Sequence, residues 1–142
     1  MFAADCPIDP SFPAAYSVNW VNGDDGAWHD LAYPTTFTAL GADFNLTALG
    51  ESYTYVSNNY ILFGHVDVKM KIAPGQGIVS AFVLQSDDLD EIDWEFLGGS
   101  PTQGQSNYFT KGKNPVSTHH SYLPRISLLT TLTDKILCCR SF

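Results

Sequence analysis

The chain has 142 residues, 44% of them hydrophobic and 13% aromatic, which predicts one globular domain with its own core and excludes a disordered chain. Its formal net charge is -8 and no Lys or Arg precedes Lys69, so nucleic acid is excluded as a partner. No apolar run approaches the roughly 20 residues of a membrane span, and residues 1–4 lack the charged and apolar regions of a signal peptide, so taken alone they favour the cytosol.

The first third of the chain predicts loops and short strands. Prolines at positions 7, 10, 13 and 34 predict a loop-rich entry over residues 1–34. Trp20 and Trp28 are interpreted as core anchors, with sugar stacking as the alternative. Runs rich in Thr, Phe, Tyr and Leu at 35–40, 43–49 and 53–56 predict strands joined by tight turns. Asn45-Leu46-Thr47 has the sequence of a glycosylation acceptor, which has meaning only in a secreted protein.

Two further segments predict the layers of a sandwich. From His65 to Ile72 polar and apolar residues alternate, which indicates a half-buried strand with His65 on the surface. Residues 78–84 form a continuous apolar run, which indicates a strand buried on both faces. Short connections favour antiparallel pairing, so we expect an all-β fold, an antiparallel jelly-roll sandwich.

The most unusual segment follows that run. Six of the nine residues 87–95 are acidic, and without them nine acids remain against seven bases. Glu91, Asp93 and Glu95 alternate with bulky apolar residues. Because strand side chains alternate sides, the three carboxylates point one way and the apolar residues point into a core. Like charges in one row repel, which raises the pKa of at least one carboxyl group.

This row matches the needs of a retaining glycosidase, in which a nucleophilic carboxylate and a carboxylic acid lie about 5 to 5.5 Å apart. Glu91 and Glu95 are separated by roughly 13 Å of strand backbone, and Glu side chains that lean together close most of that gap. Asp93 between them is placed to share a proton with the nucleophile and to orient it. A solvated acidic strand and a calcium site stay open as alternatives, although the spacing is not that of an EF-hand loop.

Glu91-Ile92-Asp93-Trp94-Glu95 resembles the Glu-x-Asp-x-Glu signature of glycoside hydrolase family 16, and residues 80–95 are similar to Crh-type chitin-glucan transglycosylases of fungal cell walls. The resemblance implies that Glu91 is the nucleophile, Asp93 its helper and Glu95 the acid/base. It further implies a polysaccharide substrate, β-glucan with chitin as a second partner, no cofactor, and an extracellular or cell-wall location. The alternative function is an inactive or lectin-like carbohydrate-binding fragment.

Two more segments resemble strands of that family. Residues 63–71 resemble a strand that lines the sugar cleft, with Asp67 where Glu is usual. Residues 105–109 resemble the strand whose Asn faces the sugar beside the carboxylates. The resemblance therefore implies that Asn107, Gln105 and Asp67 contact the substrate.

The resemblance covers about residues 5–113 and stops after Gly112. Residues 114–142 are interpreted as a tail foreign to the family, such as a translated intron or a shifted reading frame, in which Leu129, Leu132 and Ile136 have helical spacing. We therefore expect an incomplete jelly roll that lacks part of its core cover, and a chain that is poorly stable and inactive alone.

The cysteines predict neither an internal disulfide nor a metal site. Cys138 and Cys139 are adjacent and make poor partners for each other, and the odd count of three leaves at least one free thiol. By resemblance, Cys6 begins the mature Crh-type domain and its disulfide partner would lie upstream of residue 1. His119 and His120 stand too far from the cysteines for the usual zinc spacing, so no metal is expected.

Overall fold

The computed structural model describes residues 10–12, 15–62, 64–100 and 102–114 with their side chains, and the backbone of 120–122, 127–130 and 134–138. The described strands are, in chain order, β1 (Trp28–Ala32), β2 (Thr36–Thr38), β3 (Gly41–Asp43), β4 (Thr54–Ile61), β5 (Gly64–Asp67), β6 (Val79–Gln85), β7 (Glu91–Leu97), β8 (Gly104–Phe109), β9 (His120–Tyr122), β10 (Ser127–Thr130) and β11 (Asp134–Cys138). A 3-10 helix, Trp20–Asn22, precedes them. Within these ranges, no helix has the length and apolar character needed to cross a membrane.

The strands form one large and two small sheets. The large sheet has seven strands in the order β1-β4-β11-β6-β7-β8-β9. β5 pairs with β10, and β2 pairs with β3, in separate two-stranded sheets. Every pair of these strands is antiparallel, so the expected all-β antiparallel fold class is confirmed.

The core lies on one side of the seven-stranded sheet, which we call the core face. Its buried centre consists of Trp28, Tyr55, Phe82 and Leu84. The rings of Trp28 and Tyr55 stack with centroids 5.8 Å apart, and Trp20 meets Trp28 edge-on at 5.1 Å. Both tryptophans therefore anchor the core, and that interpretation is confirmed.

The β2–β3 hairpin region and β5 supply the second layer. The rings of Phe37 and Phe44 lie 6.1 and 6.5 Å from that of Tyr55. Val66 and Val68 pack against the same cluster. Apolar side chains from both layers thus meet over the core face, which is how a two-layer domain buries its sheets.

The strand predicted over residues 43–49 is wrong beyond Asp43, because residues 44–50 lie in a loop. The Glu51 carboxylate accepts hydrogen bonds from the backbone N–H of Thr47 and, at 3.0 Å, from that of Ala48. It also accepts the Thr47 hydroxyl at 3.0 Å. These bonds take the backbone donors that a strand would place in a ladder, and they close a turn instead.

For the half-buried strand predicted from His65 to Ile72, the predicted alternation of burial is confirmed, but the predicted length of the strand is wrong. Exposed and partly buried residues alternate through Ile72, whereas β5 ends at Asp67. Its partner β10 is four residues long, and Ser127 of β10 pairs with Asp67. The described ladder ends at Asp67, while the alternation of burial continues beyond it.

The helical spacing noted for Leu129, Leu132 and Ile136 does not correspond to a helix, because residues 127–130 and 134–138 are strands. β11 pairs with β4 on one side and β6 on the other. The backbone hydrogen bonds of β11 to two neighbouring strands stabilise the extended conformation more than the weak helical spacing of the apolar side chains favours a helix. Cys6, His119 and Cys139 lie outside the described residues, and so do the disulfide and zinc interpretations that involve them.

The turn before β8 yields a stability prediction. A methyl group added at Gly98 would lie 2.5 and 2.6 Å from the carbonyl oxygens of Gly75 and Ala73, whereas one at Gly99 would find only the Gln76 Cα at 3.8 Å. Because backbone atoms cannot give way cheaply, we expect Gly98→Ala to lower the free energy of unfolding by about 1 to 3 kcal/mol. The matched control Gly99→Ala should change it far less. Urea unfolding followed by tryptophan fluorescence measures both, and equal midpoints would contradict the prediction.

Candidate active site

Strand β7 has two chemically different faces. Trp94 packs against the core cluster, and Phe96 exposes only 4% of its surface. Because alternate residues of a strand point to opposite sides, Glu91, Asp93 and Glu95 lie on the other side of the sheet, which we call the carboxylate face. The predicted row of carboxylates is therefore formed, between β6 and β8.

Asp93 is the buried member of this row. It exposes 4% of its surface, whereas Glu91 and Glu95 are partly exposed. Its register partners are Val83 of β6, itself 8% exposed, and Asn107 of β8. Its Oδ1 atom is buried with no hydrogen-bond partner in the described part of the chain. A solvated acidic strand would not bury its central carboxyl group, so that alternative is wrong.

The environment of Asp93 favours its protonated form. The pKa of Asp93 is raised from 3.8 to about 7, mainly by burial and then by the charges of Glu95 and Glu91. A hydrogen bond with the backbone of Asn107 acts in the opposite direction, and a side-chain hydrogen bond with Glu91 raises the pKa further. A protonated carboxyl group donates a hydrogen bond, so Asp93 is placed to hold a proton against Glu91.

Gln85 is a site residue that the sequence did not reveal. It ends β6, directly opposite Glu91 in the ladder, and its Nε2 donates a hydrogen bond of 2.7 Å to Glu91 Oε2. A neutral amide donor orients a carboxylate without adding charge. The sequence does contain a clue to this contact. In an antiparallel hairpin, the number of residues in the connection determines which residue of β6 faces Glu91.

That connection, residues 86–90, is closed by its own hydrogen bonds. The Ser86 N–H donates to the Asp90 carbonyl at 2.9 Å, and the Asp90 N–H donates to the Ser86 hydroxyl at 3.1 Å. Leu89 has a φ of 64°, a left-handed conformation that tightens the turn. These contacts align β6 with β7 so that Gln85 faces Glu91.

Two acids of the connection have structural contacts instead of facing the row. Asp87 Oδ1 accepts the hydroxyl of Tyr60 at 2.8 Å, which links the turn to β4. Asp90 Oδ1 accepts the backbone N–H of Lys111 at 2.9 Å, which links it to the end of β8. The acid-rich segment therefore contains acids that hold the turn as well as acids of the row.

The three predicted substrate contacts are placed differently. In the β7–β8 ladder, Gln105 lies opposite Glu95 and Asn107 opposite Asp93, so both neighbour the row. The Asn107 Oδ1 accepts the N–H of Tyr108 at 2.9 Å. Asp67 lies outside this sheet, in β5, with 77% of its side chain exposed and an oxygen 3.1 Å from His65 Nε2. The structure thus brings two of the three to the carboxylates and leaves Asp67 on another sheet.

Metal ligands do not converge at this site. Among the residues whose side chains are described, no group of three or more His, Cys, Asp or Glu is arranged to hold a metal ion. The polar groups that the structure places in the row are the carboxyl groups of Glu91, Asp93 and Glu95 and, against Glu91, the amide of Gln85.

Comparison with known proteins places these residues in a family. The family model of the glycosyl hydrolases family 16 matches residues 25–126, beyond residue 113, where the sequence resemblance ends. Crh-like protein 4 of Aspergillus fumigatus is 44% identical over 107 residues, which are 75% of this chain and 24% of that protein. The chain therefore spans about a quarter of the length of this curated relative.

Solved structures show a similar architecture. The Crh5 transglycosylase in complex with NAG has a TM-score of 0.76 and 30% identity, over 96% of this chain and 72% of that one. A Bacillus licheniformis beta-glucanase has a TM-score of 0.66 and 21% identity, over 87% and 83% of the two chains. The second similarity concerns the fold alone, and together with the antiparallel sheets it confirms the predicted jelly roll.

The raised pKa of Asp93 yields a prediction for stability. Because the pKa is about 7 in the folded chain and near 3.8 in an ordinary Asp, the folded chain binds this proton more tightly. The contribution of Asp93 to stability is therefore complete below about pH 4 and lost as the pH rises through about 7. We expect the free energy of unfolding to fall more steeply over this interval in the parent than in Asp93→Asn.

Urea unfolding at a series of pH values measures this difference. Asp88→Asn is the control, because Asp88 is exposed and should leave the slope unchanged. Parallel curves for the parent and Asp93→Asn would contradict the prediction.

Proposed function

The chain belongs to glycosyl hydrolases family 16, and we propose that it forms the site of a retaining glycosidase or transglycosylase that acts on cell-wall β-glucan. The observation that carries this proposal is the row on the carboxylate face, in which a buried Asp93 with a pKa of about 7 separates Glu91 from Glu95. Such a row is costly for stability, and perturbed carboxyl groups of this kind cluster at catalytic sites.

In the proposed reaction Glu91 attacks the anomeric carbon and forms a covalent glycosyl intermediate, while Glu95 donates a proton to the leaving oxygen. Glu95 then removes a proton from the incoming hydroxyl group, which releases the sugar and restores Glu91. Asp93 and Gln85 hold the Glu91 carboxylate from two directions, which limits its rotation. A sugar hydroxyl as the incoming group gives transfer, and water gives hydrolysis.

We propose transfer to chitin-type acceptors as the finer assignment. The similar Crh5 structure is named a transglycosylase and contains NAG, the unit of chitin. Gln105 and Asn107, which neighbour Glu95 and Asp93 in the ladder, are the proposed sugar contacts. Work on cell-wall polymers requires a location outside the cell, so we also propose an extracellular or cell-wall location.

The test uses a chimera in which residues 25–126 replace the matched segment of Crh-like protein 4. It is incubated with β-glucan oligosaccharides and a fluorescent chitin-oligosaccharide acceptor, with the 142-residue chain assayed beside it. Labelled product longer than the acceptor supports a transglycosylase, and reducing ends without coupled product support a hydrolase. Glycan binding without turnover, unchanged by Glu91→Gln, would overturn the catalytic proposal in favour of a lectin-like module.

The role of Glu95 yields a leaving-group prediction. In the chimera, Glu95→Gln should slow natural glucans about 10²- to 10⁴-fold, the usual contribution of a general acid, because their leaving oxygen needs a proton. Activated aryl glycosides need little protonation and should be affected far less. Rates measured with both substrates decide the matter, and equal losses would remove Glu95 from the acid role.

The contact between Gln85 and Glu91 yields a second prediction. A hydrogen bond to a charged group contributes about 1.5 to 3 kcal/mol, and about 1.4 kcal/mol corresponds to tenfold in rate. We therefore expect Gln85→Leu to lower kcat about 10- to 100-fold with little change in KM. Gln103→Leu, at an exposed position, is the control. A kcat unchanged by Gln85→Leu would show that this contact does not orient the nucleophile.

A further inference from the structure

The loop after β3 has a feature that the carboxylate row does not explain. Asn45-Leu46-Thr47 is the acceptor sequence for an N-linked glycan, and no other such sequence occurs among the 142 residues. Asn45 is exposed in the folded chain. We propose that Asn45 is an N-glycosylation site whose glycan shields the exposed apolar residues that flank it in the sequence.

Asn45 is flanked in sequence by exposed apolar residues. Leu40 and Leu49 are the most exposed of the large hydrophobic residues in the described part of the chain, at 94% and 106%. They lie five residues before and four residues after Asn45. A glycan is bulky and solubilising, and it covers apolar surface that would otherwise favour association.

The position also keeps a glycan away from the proposed cleft. Phe44, next to Asn45, packs towards Tyr55 on the core face, with ring centroids 6.5 Å apart. The carboxylate row lies on the opposite side of the seven-stranded sheet, as the core contact of Trp94 requires. A glycan on this loop therefore projects from the second layer and leaves the carboxylate face open.

The modification joins the Asn45 side-chain nitrogen to the anomeric carbon of an oligosaccharide carried on a lipid diphosphate. The new bond is C–N, the bond that breaks is the C–O bond to the phosphate, and the lipid diphosphate leaves with the electron pair while the amide loses one proton. In the folded chain the Thr47 hydroxyl already donates to Glu51 at 3.0 Å. This contact engages the hydroxyl group of the acceptor sequence, so the Glu51 variant below tests whether the turn affects the modification.

The inference rests on the proposed extracellular location, but its test does not depend on activity. The 142-residue chain is expressed behind a cleavable secretion leader in a eukaryotic host, and the peptide that contains Asn45 is analysed by mass spectrometry before and after an endoglycosidase. We expect one removable glycan in the parent. Secreted parent with an unmodified Asn45 peptide would overturn the proposal, whatever the glucan assay gives.

Matched variants separate the acceptor from the turn. Asn45→Gln and Thr47→Ala should lose the glycan, whereas Thr47→Ser and Glu51→Ala should keep it, because they retain an acceptor sequence. Shielding is measured by light scattering after glycan removal. The parent should scatter more once deglycosylated, and a variant with both Leu40→Ser and Leu49→Ser should not. Equal scattering of the parent with and without its glycan would overturn the shielding role.

Discussion

Three carboxyl groups are held in one row against their mutual repulsion, and the ladders on both sides of β7 hold them there. β6 pairs with β7 from Glu91 to Leu97, and β8 pairs with it from Glu91 to Glu95. On its other side the same strand buries Phe96 and packs the partly buried Trp94 against the core cluster, so the strand cannot rotate the row away without exposing the core. Burial of apolar surface thus offsets an electrostatic cost, and Asp93 lowers that cost by favouring its neutral form.

The acid-rich segment divides into parts with different physical roles. Asp87 and Asp90 accept hydrogen bonds from Tyr60 and Lys111, and these contacts tie the turn to β4 and to the end of β8. The row itself begins only at Glu91. A turn anchored at both sides keeps the register of the β6–β7 hairpin, and one residue of slip would move every carboxylate to the core face.

The sequence predicted what depends on local periodicity and missed what depends on distant partners. The two faces of β7 follow from an alternation of period two, so the row and its apolar reverse side were predictable. The loop over 44–50 was not, because one carboxylate, Glu51, takes the backbone donors that a strand would use. Asp67 is separated from the carboxylates because β5 pairs with β10, about 60 residues later in the chain. A local sequence pattern does not predict a pairing between such distant segments.

The place of β11 has a consequence for how the chain reaches this structure. β11 is the last of the described strands in sequence, yet it lies between β4 and β6 near the middle of the large sheet. During synthesis, the edges of β4 and β6 that pair with β11 therefore stay unpaired until residues 134–138 have left the ribosome. Contacts between residues so far apart in sequence form slowly. Until they form, the unpaired strand edges can pair with strands of other chains. Completion of this sheet is thus expected to be late in folding, with its greatest risk of misassembly before β11 inserts between β4 and β6.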